Sequence, residues 1–155
     1  MPAGLLRPIV LATLVAGTLD ILAAVCLSLI FGRGPMNMLR FVASGPFPGA
    51  TEWGAGGAAL GLAVHFALMA IMVTVYMIAA DRRPALRVKP LQWGVIYGLV
   101  TYVAMNLIVV PLRFPGAFPP SPRGLATQLF CHIVLVGLAI AYIASRHVRG
   151  RNASG

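Results

Sequence analysis

Four apolar stretches, each as long as the hydrocarbon core of a bilayer is thick, leave this chain few ways to fold. They cover residues 8–31, 57–80, 91–112 and 125–145. At about 1.5 Å per residue, a helix needs about 20 residues to cross, and each stretch has them. Backbone groups surrounded by lipid must be paired within their own segment, and none of the stretches alternates as a barrel strand would. All four are therefore expected to be helices. The first exceeds the apolar region of a signal peptide and carries Asp20 at its centre, with no clean small-residue cleavage site after Phe31, so it reads as a retained span. The expected fold is all-α: a single polytopic domain over residues 1–155, built as a four-transmembrane-helix bundle.

Composition agrees with burial in lipid. Hydrophobic residues make up 59% of the chain and charged residues 10%, with a mean hydropathy of +0.90. A soluble domain carries about a quarter charged residues, because its surface faces water. The net charge of +9 would suit nucleic acid, but none of the 12 basic residues lies inside an apolar stretch. They gather at the ends, where they anchor a membrane protein to anionic headgroups. The expected partner is thus a bilayer with anionic headgroups and no nucleic acid. Arg7, Arg82, Arg83, Arg87, Lys89, Arg146, Arg149 and Arg151 flank the termini and the middle loop, against Arg33, Arg40, Arg113 and Arg123 in the other two loops. By the positive-inside rule both termini are cytoplasmic, N-in and C-in. Cys26 and Cys131 both fall within apolar stretches and are expected as buried free thiols, without a disulfide framework.

The two outer loops are rich in proline. Residues 36–44 of the first place Asn37, Arg40 and Ser44 on one helical face, which fits a short interfacial helix. The second contains Pro115, Pro119, Pro120 and Pro122 and should form a stiff cap. An internal echo links the two halves: from His65 and from His132 the chain runs through apolar residues to a tyrosine, Ile-Ala and a basic end. A 2+2 parallel repeat about an axis along the membrane normal would produce it.

Each span also holds a strongly polar residue at depth: Asp20, His65, Asn106 and His132, with Gln128 one turn from the last. Counted from the outer ends, the four lie at roughly 9–17 Å, so antiparallel helices bring them into one layer of the outer half. Small residues accompany them, including the Gly57–Gly61 and Gly94–Gly98 pairs, which allow close helix approach. Intramembrane histidine and asparagine commonly just bond neighbouring helices. A carboxyl is harder to dismiss, since at the bilayer centre it must be protonated, paired or hydrated. With no lysine or arginine at its depth, Asp20 has the two histidines as prospective partners. Tyr76 and Tyr142 are expected in the inner aromatic belt and Trp53 in the outer one.

The run from His65 to Tyr76, the segment from Asn106 to Pro111-Leu112, and Phe130-Cys131-His132 resemble the YagU-like family of small bacterial inner-membrane proteins. The resemblance covers about residues 57–149. Where that family tends to carry histidine in its third helix, this chain has Asn106. It implies a multi-pass protein of the bacterial inner membrane and lends weight to His65 and His132; it implies no settled activity. Three functions remain open. The polar layer can handle protons or a small solute, in which case the small volume of one bundle favours a homo-oligomer. His65 and His132 can instead ligate a haem, with Gly61 and Gly137 making room for the macrocycle, or hold a soft metal together with Cys131. Or the layer only sets helix register in a structural or accessory protein. No nucleophile–base arrangement marks an enzyme, so no catalytic or dedicated metal residues are assigned and the cofactor stays unknown.

Overall fold

The computed structural model describes residues 4–117 and 119–152. Four of its helices are long and apolar enough to span a membrane: α1 (Leu6–Ile30), α3 (Gly54–Arg82), α4 (Pro90–Arg113) and α5 (Pro122–His147). A shorter helix, α2 (Pro35–Ala43), lies between α1 and α3. The breaks fall where local chemistry demands them. Gly32 and Gly54 take positive φ values of 69° and 53°, a region that favours glycine, at the end of α1 and the start of α3. Proline opens α2, α4 and α5, where its missing N–H costs nothing. Ser121 caps α5 by accepting a hydrogen bond from the Gly124 N–H at 3.1 Å.

The helices alternate in direction. The start of α1 (Leu5, Ile9, Ala12) packs with the end of α3 (Val73, Met77, Ala80) and the end of α5 (Ile140, Ala141, Ala144). This end of the molecule, which also holds the α3–α4 turn, is called the terminal end below; the opposite one is the loop end. Burial is inverted relative to a water-soluble bundle. Ala12, Ala16, Ala141 and Gly61 are inside, while Leu11, Leu14, Ile71, Val100 and Ile108 face outward. Small residues inside let backbones approach, and large aliphatic ones outside suit lipid.

Tyr76 belongs to this core and not to an aromatic belt. It is 2% exposed, donates its hydroxyl to the Leu86 carbonyl at 3.0 Å, and packs on the Tyr97 ring at 4.8 Å. Tyr97 in turn donates to the Met72 carbonyl at 2.6 Å, tying α4 to α3. Tyr142 and Trp53 are exposed. Of the two free thiols only Cys131 is buried; Cys26 is exposed, off the face of α1 that carries Ile9, Ala12, Ala16 and Gly17.

The glycine pairs mark the tightest contacts. The Leu39 carbonyl of α2 and the Ala50 carbonyl fill the spaces over Gly61 and Gly57. Hence α2 is not free on the surface but is seated against the start of α3. At Gly98 a Cβ would come within 2.5 Å of the His132 carbonyl, and Gly137 lies against the backbones of Gly94 and Gly98. The α4–α5 contact is therefore backbone on backbone. Arg113, at the end of α4, donates to the carbonyls of Gly45 (2.6 Å) and Ser44 (2.9 Å), and Phe114 stacks on Phe41 at 4.4 Å. These contacts pin the α2 segment across the loop end.

Candidate functional site: two histidine pairs beneath a vestibule

The polar residues of the spans form two pairs instead of one continuous layer. In the first, His65 of α3 faces α1. Its Nε2 lies 2.9 Å from the Gly17 carbonyl, which can only accept, so Nε2 carries a hydrogen. The other nitrogen, Nδ1, is 3.9 Å from Asp20 Oδ2. Two arrangements share one net charge of zero here: imidazolium beside carboxylate, or neutral imidazole beside carboxylic acid. They differ only in which side holds the proton. Neither side chain is sealed off, with 12% of His65 and 24% of Asp20 exposed. The absence of a Cβ at Gly17 makes the approach feasible, since the Phe66 ring next to His65 occupies that space.

In the second pair every hydrogen-bonding atom of the ring is used. Asn106 Nδ2 donates to His132 Nε2 at 3.1 Å. His132 Nδ1 then carries the hydrogen and donates to Thr101 Oγ1 at 3.2 Å, and Thr101 donates to the Gly98 carbonyl at 2.9 Å. The direction of donation is consistent from end to end with a neutral imidazole. His132 is buried, at 9% exposure. Tyr102 packs edge-on against it at 5.9 Å, and its hydroxyl is a buried polar atom with no partner among the described residues.

Both helices of this second pair are wound wide. Residues Val103–Val109 of α4 and Cys131–Leu138 of α5 are π-helical, a rare winding that concentrates at functional positions. In α4 the cause is local. Pro111 has no N–H, and its ring would clash with the carbonyl four residues earlier, so the preceding turns open. In α5 no proline follows, and the wide turns coincide with the contact on Gly94 and Gly98.

Gln128 joins neither pair. It lines a cavity of about 760 Å³ at the loop end, between α1, α2 and the start of α5. The walls include Ser28, Arg33, Asn37 and Arg123, and the cavity reaches down to Ala24 and Gln128. Ala24 is one helical turn above Asp20, and Gln128 one turn above His132. The cavity thus approaches the polar residues along the facing sides of α1 and α5.

No known protein family, curated protein or solved structure matches this chain.

The geometry bears directly on the ligand chemistry open from sequence. His65 is directed at α1 and His132 at α4, each holding a different partner. The two glycines that would admit a macrocycle are occupied by neighbouring backbone: Gly61 by Leu39 and Gly137 by Gly94. Among the described residues no three His, Cys, Asp or Glu side chains gather as a metal site would require. Sequence reasoning missed Thr101, whose place i−5 from Asn106 falls on one face only when the helix is wound wide. It also missed the vestibule, which exists because α2 is seated on α3 while α1 and α5 part above residue 131.

Proposed function

We propose that this chain is a multi-pass protein of a bacterial inner membrane, with cytoplasmic termini, that passes protons or a small solute between the loop-end vestibule and the Asp20–His65 pair. The observation that carries this reading is the vestibule floor one turn from a carboxyl–imidazole pair with room for a mobile proton. The excess of basic residues at the terminal end supports the orientation. In it, the vestibule opens to the periplasm and the packed core closes the cytoplasmic half. The resemblance to the YagU-like family and the 2+2 arrangement of hairpins belong to the same proposal, as does assembly with further copies to complete a path. Anionic lipid headgroups would anchor the basic ends.

The test is flux. Purified protein in liposomes carrying an internal pH-sensitive dye should relax an imposed pH gradient, and Asp20→Asn should return the rate to that of empty liposomes while the protein still folds. An unchanged rate in the Asp20→Asn protein would sink the proposal. A wild-type rate equal to empty liposomes would move the weight to a structural role for both pairs.

A further inference from the structure

The loop end carries four arginines, and their fates differ. Arg113 is spent on the carbonyls of Ser44 and Gly45. Arg40 donates to Asn37 Oδ1 and lies over Gly57. The guanidinium groups of Arg33 and Arg123 make no hydrogen bond or ion pair with any described residue, yet both residues line the same cavity, one following α1 and the other in the first turn of α5. No aspartate or glutamate is among the lining residues. The chain's three acids lie elsewhere: Asp20 beside His65, Glu52 in the turn before α3, and Asp81 at the terminal end. Two positively charged residues therefore line one concave space with no acidic side chain among its lining residues.

The rest of the lining narrows the chemistry. Gln128 supplies an amide donor, the Ser28 and Thr127 hydroxyls being spent on carbonyls of their own helices, while Leu27 and Phe31 form an apolar wall at the end of α1. A volume of about 760 Å³ is within the range of small-molecule sites, roughly 300–1,000 Å³. Guanidinium forks pair with phosphate oxygens through two parallel hydrogen bonds, and two forks from separate elements can hold one phosphate together. The starts of α2 and α5 border the same cavity, and their dipoles add to its positive potential.

We infer that the loop-end vestibule is a binding site for one phosphate-bearing anion, held between Arg33 and Arg123. A phospholipid headgroup and a soluble phosphate ester share that chemistry. The site deepens the proposed function by naming the class of solute it admits, but anion binding itself does not require the Asp20–His65 pair to move a proton.

Native mass spectrometry of the full chain in detergent measures this directly. Titration with an anionic phospholipid, with its zwitterionic counterpart, and with inorganic phosphate as competitor gives occupancy for each. A saturable one-to-one adduct with the anionic lipid that resists excess phosphate supports the site with a lipid as occupant. An adduct that phosphate displaces, or a one-to-one phosphate adduct, supports it with a soluble ester. Arg33→Gln and Arg123→Gln should each weaken the adduct about tenfold or more, and the double variant should lose it. Arg83→Gln, at the terminal end, should bind as wild type. Thermal unfolding in the same detergent reports whether the variants fold. Should the double Gln variant not fold, Arg33→Lys with Arg123→Lys keeps both charges, loses the forks, and should bind about tenfold more weakly. Absence of any saturable adduct, an adduct that survives in the folded double Gln variant, or one of undiminished affinity in the double Lys variant overturns the inference. Asp20→Asn should retain the adduct while losing flux, which separates failure of this site from failure of the proton path.

Discussion

In the first hairpin a carboxyl on α1 meets a histidine on α3; in the second an amide on α4 meets a histidine on α5. The two histidines stand at comparable places, His65 eleven residues into a helix that starts at Gly54 and His132 ten into one that starts at Pro122. What surrounds them differs. Asp20 and His65 stop at 3.9 Å, beyond hydrogen-bond range, and both keep some exposure. Asn106, His132 and Thr101 close into an unbroken chain of donors and acceptors around a buried ring. An amide has no proton to lose, so the second pair is a fixed joint between helices. A carboxyl facing an imidazole can hold its proton on either side, and the looser fit leaves room for that exchange. Position alone thus does not distinguish the two intramembrane histidines; their partners and the fit around them do.

The largest effect expected from breaking this contrast is at the helix contacts. Gly98→Ala drives a methyl group into the His132 carbonyl and the Ile133 backbone, neither of which can rotate away. The expected loss is about 3 kcal/mol, at the upper end of overpacking costs. Gly17→Ala on the first hairpin meets the edge of the Phe66 ring and, less closely, the Met69 side chain, both of which can shift, and should cost about 1 kcal/mol. Denaturant unfolding in mixed micelles measures both, and equal losses would show that the two hairpins are held together in the same way.

A smaller effect is expected from the second histidine. His132→Ala removes two interhelical hydrogen bonds, and within membranes such bonds average about 0.6 kcal/mol with a maximum of about 1.7. The protein should lose about 1–3 kcal/mol in the same unfolding assay. The rate of proton flux should persist in whatever fraction remains folded. Flux abolished in folded His132→Ala protein would place the second pair on the path and dissolve the contrast.

The smallest stability change belongs to Asp20→Asn. The carboxyl makes no hydrogen bond at 3.9 Å from His65, and an amide of the same shape avoids the cost of a charge in lipid. Unfolding should shift by less than about 1 kcal/mol although flux disappears. A large destabilisation would mean that the first pair, like the second, holds helices together.

These contrasts bear on what can be read from the residues alone. The four spans are legible because lipid permits only segments that satisfy their own backbone, and about twenty consecutive apolar residues announce such a segment. The inward placement of Asp20, His65, Asn106 and His132 is legible for a related reason, since polar groups avoid lipid whichever helices they end up facing. Two glycine pairs mark close contacts, but the residues themselves do not say what fills them. For Gly57 and Gly61 it is the α2 segment, and for Gly94 and Gly98 it is α5.

Depth along a helix follows from counting residues, and so the sequence by itself set the expectation that four polar side chains lie at similar depth. It did not determine who meets whom. Depth is a one-dimensional quantity, whereas partnership also depends on the rotation of each helix about its axis. That rotation is set by glycine contacts and by the widened turns before Pro111. Only the tertiary structure divided the level into a loosely spaced carboxyl–imidazole pair and a hydrogen-bonded amide–imidazole pair. It alone seated α2 on α3 and left Arg33 and Arg123 facing one cavity. The physical reason is that lipid rewards apolar length without regard to rotation, while packing of backbone against backbone accepts only one.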